Sequence, residues 1–119
     1  MQYMLLVHHD EEAFMKLSEA ARRRMLDESI ELTHQLHASG QYLSASPLQP
    51  TSTAALVRVR DGKPTVTDGP FVETKEQLAG YFLIDAGDLN EAILIANRVP
   101  GARFGTVEIR PVKPVSGLP

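Results

Sequence analysis

Short apolar runs and helical stripes divide the chain. Tyr3 to Val7 ("YMLLV") and Leu78 to Asp85 ("LAGYFLID") are nearly continuous apolar segments, too short for helices, and they read as strands. Thr106 to Arg110 reads as a last strand. Between the first two, Met25, Leu26, Ser29, Leu32, Thr33 and Leu36 recur at helical spacing and form one packing stripe. Ser18, ahead of Glu19, is placed to cap that helix and Gly40 to end it, with Asp10 to Lys16 forming a short separate turn before it. Asp88-Leu89-Asn90-Glu91 has the form of a capping box that opens a second helix running to about Arg98, before Pro100-Gly101. "QYLSASPLQPTST", with Pro47 and Pro50, reads as a loop. Ala54 to Arg60 reads as a strand that turns at Asp61-Gly62, a type I′ dipeptide, into a short returning arm that Pro64 confines to an edge.

The order strand, helix, strand with hairpin, strand, helix, strand is the βαββαβ pattern of a ferredoxin-like α+β fold, an antiparallel sheet with two helices on one face. One domain is expected over residues 1–113, followed by an irregular proline-rich tail over 114–119. "YMLLV" and "YFLI" do not alternate apolar with polar, as strands with one wet face should. Two helices cover one face only, so the second cover is expected from another copy of the chain, as a homodimer.

Composition narrows the classes. A length of 119 residues fits a single core, and a net charge of -3 lacks the basic excess of a nucleic-acid module. The one basic run, Arg22 to Arg24, reads as a solvated helix face. No cysteine is present, which excludes disulfides, thiolate nucleophiles and Cys-based metal sites. No apolar stretch approaches the roughly 20 residues needed to span a bilayer. "MQYMLLVHHDEE" lacks the basic start of a signal peptide, so a cytoplasmic protein is expected, with neither a membrane nor nucleic acid as partner.

Three segments, "MQYMLLV", "TSTAALVRVRDGKPTVTDGPFVETKEQLAGYFLIDAGDLNEA" and "GTVEIRPV", resemble the DGPF-type proteins of the YCII-related superfamily, over about Tyr3 to Val112. The resemblance implies a dimeric α+β barrel. It also implies an active-site pair, a histidine on the first long helix beside an aspartate. That histidine position falls on Ser29 here, while His34 and His37 lie elsewhere on the helix, so the pair does not carry over. The resemblance further implies a regulatory link to extracytoplasmic-function sigma factors.

Candidate chemistry centres on the DGPF loop. Asp68 is a candidate general base or ligand carboxylate at the mouth of a dimer cleft, with Glu73, Lys75 and Glu76 beside it. The same loop is also explained as turn chemistry: Asp68 starts the turn, Gly69 tolerates unusual dihedrals although Pro70 biases it to extended backbone, and Phe71 anchors the loop in the core. Arg58, pointing opposite to Val57 and Val59, is a candidate anion contact, and Tyr81 a candidate hydrogen-bond partner in the cavity. His8, ending a central strand, is a candidate proton shuttle, because imidazole titrates near neutral pH.

Adjacent His8 and His9 point to opposite faces, and His34 and His37 lack a HExxH carboxylate, so no metal site is expected. Phosphate-cradling and dinucleotide fingerprints are absent, and no cofactor is expected. The reading is therefore a protein that binds a small polar or anionic molecule near the DGPF loop, with or without weak acid–base activity. The alternative is a non-catalytic regulatory module whose partner is a sigma factor.

Overall fold

The first apolar run becomes the centre of the sheet. In a computed structural model that describes residues 1–119, β1 (Gln2–His9) lies between β5 (Gln77–Asp85) and β6 (Thr106–Pro111), antiparallel to both. A further strand, β2 (Tyr42–Pro47), pairs with the outer side of β5, so the four-stranded order is β2-β5-β1-β6. β2 falls in the segment that reads as a loop from sequence. "YLSASP" is short and hydroxyl-rich, and its strand conformation comes from pairing with β5 rather than from its own propensity.

The hairpin forms where Asp61-Gly62 predicts it, β3 (Ala55–Arg60) pairing with β4 (Lys63–Asp68). Asp61 and Gly62 have φ of 51° and 72°, the positive values that a type I′ turn requires at both central residues. This hairpin does not extend the main sheet; it is a separate two-stranded ribbon inserted between β2 and β5. The second strand of the βαββαβ order is therefore β2, and β3–β4 is an addition to it.

The helices follow their caps. α1 (Glu11–Lys16) is capped by Asp10 and α2 (Glu19–Ala38) by Ser18, whose Oγ accepts the Ala21 N–H at 3.0 Å. α2 ends in a Schellman motif on Gly40 (φ 76°), with Gln41 N–H on the Leu36 carbonyl and Gly40 N–H on that of His37. α3 (Leu89–Ala96) starts at Asp88, which accepts the Glu91 N–H; Glu91 reaches back to the Gly87 N–H, one residue earlier than a standard capping box. A short α4 (Gly101–Phe104), not evident in the sequence, turns the chain into β6. No helix is long and apolar enough to cross a membrane.

Strand alternation sorts β1 into two faces. Tyr3, Leu5 and Val7 are buried with Phe82 and Ile84 of β5 under Leu32 and Leu36 of α2 and Ala92, Ile95 and Ala96 of α3. Met4, Leu6, Tyr81 and Leu83 share the opposite face, which no helix covers, and remain half-buried. The result is an α+β fold with an antiparallel sheet, compatible with the ferredoxin-like pattern.

Candidate functional site

The α2 stripe does not pack evenly. Leu32 and Leu36, in its C-terminal half, are fully in the core. Met25, Leu26, Ser29, Ile30 and Thr33 instead line a cavity of about 420 Å³ between α2 and the helix-facing side of the sheet. The floor comes from Val7, Phe82 and Ala45, and the far end from Phe14, Met15 and Val99. A volume of this size falls within the range of small-molecule sites, roughly 300–1,000 Å³.

Few polar groups face this space, and several of them are already hydrogen-bonded. Ser29 Oγ donates to the Met25 carbonyl at 3.0 Å and Thr33 Oγ1 to that of Ile30 at 2.6 Å, so both hydroxyl oxygens keep lone pairs to accept from a ligand. Arg22 donates to the Met15 carbonyl at 3.2 Å, which holds its guanidinium over the end of α1 at the cavity edge. Glu11 is committed elsewhere, accepting from the backbone and hydroxyl of Thr51 at 2.8 and 2.7 Å.

His9 is the titratable group in this wall that stands out. Alternation along β1 turns it to the helix side, where its ring stacks on Phe14 at 4.5 Å and meets the edge of Phe104 at 5.9 Å. Burial among these rings lowers its pKa from the ordinary 6.5, against the opposing pull of Glu11, Asp10 and Glu76. At neutral pH it is an uncharged imidazole with one donor and one acceptor nitrogen. Sequence reading passed over His9 because alternation separates it from His8 but does not say which of the two faces is buried.

The lowered pKa has a consequence for stability. The unfolded chain takes up a proton near pH 6.5 and the folded one only below that, so the contribution of neutral His9 is present above about 6.5 and is lost as pH falls through the folded pKa. Stability is expected to drop between about pH 7.5 and about pH 5.5, and to drop less in His9→Phe, which keeps the stacking without the titration. Urea midpoints of the two proteins at both pH values test this, and equal drops would contradict it.

The residues singled out from sequence are dispersed. His8 is on the open sheet face, its Nε2 at 3.1 Å from Glu108 Oε1. Tyr81 shares a 2.8 Å hydrogen bond with Ser44 Oγ on that same face, and it also borders the cavity. Arg58 lies in the ribbon, its guanidinium 5.5 Å from the centre of the Phe71 ring. Asp68 ends β4 opposite Ala55 and is exposed, as are Glu73 and Lys75 in the following loop; neither of these two is in an ion pair. Glu76 turns back to the body and accepts from Thr106 Oγ1 at 2.8 Å.

Two expectations for the DGPF loop are corrected. Phe71 is 70% exposed and does not anchor the loop in the core, because the ribbon leaves the body before the loop returns. Gly69 adopts φ 92°, not an extended conformation; its N–H bonds to the Ala54 carbonyl at 2.9 Å and closes the base of the ribbon. Glycine reaches this positive φ without the steric penalty that a side chain brings.

Comparison with known proteins places the chain. The model of the YCII-related domain matches residues 1–116. The uncharacterized protein R00369 of Rhizobium meliloti (strain 1021) is 34% identical over 114 residues, covering 94% of this chain and 92% of that protein. With nearly the whole chain matched in both comparisons, this protein belongs to the YCII-related family.

Proposed function

We propose that this YCII-related protein binds a small, largely apolar molecule with a hydroxyl or acidic head in the cavity under α2, and that His9 accepts or returns a proton at that head. The observation that supports the reading most is the coincidence of an apolar space of about 420 Å³ with an uncharged imidazole in its wall. Arg22 at the edge suits an anionic group, and Ser29 and Thr33 suit a hydroxyl donor. The working unit is a homodimer joined through the open sheet face, where Met4, Leu6 and Leu83 are left without a helix. The expected place of work is the cytoplasm.

A thermal-shift screen of small carboxylic acids and phenols tests the reading. A true ligand at about 100 times its Kd adds about 2.7 kcal/mol to stability and raises Tm accordingly. Ser29→Phe, which fills the cavity from α2, is expected to abolish that rise, and Asp68→Asn to leave it intact. The opposite pattern would move the site to the DGPF loop, with Asp68, Arg58, Glu73 and Lys75 as its groups and His8 or Tyr81 as neighbours. A rise untouched by either variant would refute both placements.

A second reading, regulation by protein contact, draws on α3. Leu89, Ile93 and Leu94 are 49%, 41% and 66% exposed on an eight-residue helix, more apolar surface than solubility favours. An extracytoplasmic-function sigma factor is the partner that the sequence resemblance suggests. Titration of such a factor into the protein, followed by calorimetry, decides this reading; absence of heat at micromolar concentrations counts against it.

A further inference from the structure

The basic run Arg22 to Arg24 reads from sequence as a solvated helix face, and the structure divides it. Arg23 and Arg24 are exposed, with Arg23 paired to Asp27 at 3.2 Å. Arg22 is half-buried at the edge of the cavity under α2 and belongs to none of the ion pairs. Its Nη1 is held by Met15, 3.2 Å from the carbonyl oxygen and 3.8 Å from the sulfur. The Nε and Nη2 groups make no hydrogen bond, and that edge of a guanidinium is a fork on which a carboxylate seats with two parallel bonds.

The surroundings leave the charge of Arg22 unopposed. Arg22 is the one lysine or arginine that borders the cavity, and Glu11 is the one aspartate or glutamate. Both carboxylate oxygens of Glu11 are engaged by Thr51. His9, uncharged at neutral pH, does not supply the charge that holds an anion. A cation partly withdrawn from water with no anion beside it is a position that an anionic ligand improves.

The walls select the body that accompanies such a head. Four of the chain's seven phenylalanines and tyrosines, Phe14, Tyr42, Tyr81 and Phe82, border a space that only 24 of its 119 residues reach. Two of its four methionines, Met15 and Met25, join them. Ring faces and ring edges carry opposite partial charges, so a ring gains directional contacts from other rings and from thioether sulfurs that an aliphatic body does not. α1 ties the two parts together: Phe14 stacks on His9 at 4.5 Å, and the next residue, Met15, holds Arg22.

We infer that the ligand of this cavity is an aromatic carboxylate, its carboxylate on Arg22 and its ring among these aromatic and thioether side chains. The inference rests on the cavity reading given above and narrows it: Arg22 selects the ionised acid, and His9 is left for the proton exchange.

Calorimetric titration at neutral pH with three compounds of similar shape tests this: 1-naphthoate, the uncharged 1-naphthalenemethanol and the saturated decahydro-1-naphthoate. On the wild-type protein 1-naphthoate is expected to bind at least ~10-fold more tightly than the alcohol, the usual worth of hydrogen bonds to a charged group. It is expected to bind about 2–10-fold more tightly than the saturated acid. Arg22→Gln is expected to bring 1-naphthoate down to the level of the alcohol without changing the alcohol, and Arg22→Lys, which keeps the charge and loses the fork, to fall between. Ser29→Phe is expected to abolish binding of all three. Equal affinities of acid and alcohol, a saturated acid as tight as the aromatic one, or equal losses of acid and alcohol in Arg22→Gln each overturn the inference and leave the cavity reading standing. Binding of 1-naphthoate that survives Ser29→Phe overturns both. No binding of any of the three at millimolar concentration overturns the inference, and another compound whose thermal shift is lost in Ser29→Phe would still uphold the cavity.

Discussion

Gly105→Ala is expected to destabilise the protein by at least ~3 kcal/mol, the upper end of what overpacking usually costs. Gly105 joins α4 to β6 and passes directly over the end of β1. A Cβ built there would lie 2.0 Å from the His8 carbonyl oxygen and 3.0 Å from both the His8 carbonyl carbon and the His9 Cα. All three are backbone atoms of the central strand, so no side-chain rotation can relieve the clash. Either α4 lifts from β1 or the end of β1 moves, and in both cases the contacts of His9 with Phe14 and Phe104 are disturbed. Urea unfolding measures the loss. Gly101→Ala makes a useful comparison, because its Cβ would meet a side chain, Val7 Cγ1 at 2.4 Å, in place of backbone. A Gly105→Ala protein within about 1 kcal/mol of wild type would show that this crossing is not close-packed in solution.

Leu36→Ala is expected to cost about 2–5 kcal/mol. Leu36 is completely buried, and it belongs to the last turn of α2, where its carbonyl also accepts the Gln41 N–H that ends the helix. The removed methyl groups leave a void between α2 and the sheet at the point that holds the helix down. Leu26, from the same stripe but 41% exposed at the cavity, is expected to lose less than about 1 kcal/mol when changed to alanine. The difference between the two leucines tests whether the N-terminal half of α2 spans a cavity. Equal costs would mean that the cavity is closed by packing in solution.

Local signals account for much of the fold. Ser18, Gly40, Asp61-Gly62 and Asp88 each act within a few residues of themselves, and each does what its type predicts. The continuous runs of β1 and β5 are likewise legible, because apolar content in a short span has few other structural solutions. β2 was not legible. "YLSASP" has no strong preference, and only the free edge of β5 makes a strand of it. α4 was missed for a related reason, since four residues between Pro100 and Gly105 carry no period to detect.

The candidate site depended even more on distant contacts. His9, Phe14, Ser29 and Phe82 come from four separate elements, and no spacing along the chain announces that they border one space. The acidic and basic residues around the DGPF loop form a conspicuous cluster in sequence, yet the ribbon carries Arg58 outward and leaves Asp68 at its base, with Glu73 and Lys75 exposed.

By itself, then, the sequence determined the family, the class of fold, the capped helix starts, the hairpin turn and the presence of strands that are apolar on both sides. These follow from interactions between near neighbours and from how much apolar surface each segment must hide. The tertiary structure alone decided which face of β1 is covered, that α2 bridges a cavity, that His9 and not His8 lies in its wall, and that the β3–β4 ribbon leaves the sheet. Those outcomes depend on how elements dozens of residues apart meet, and burial, the quantity that sets both packing energy and the pKa of His9, exists only after they have met.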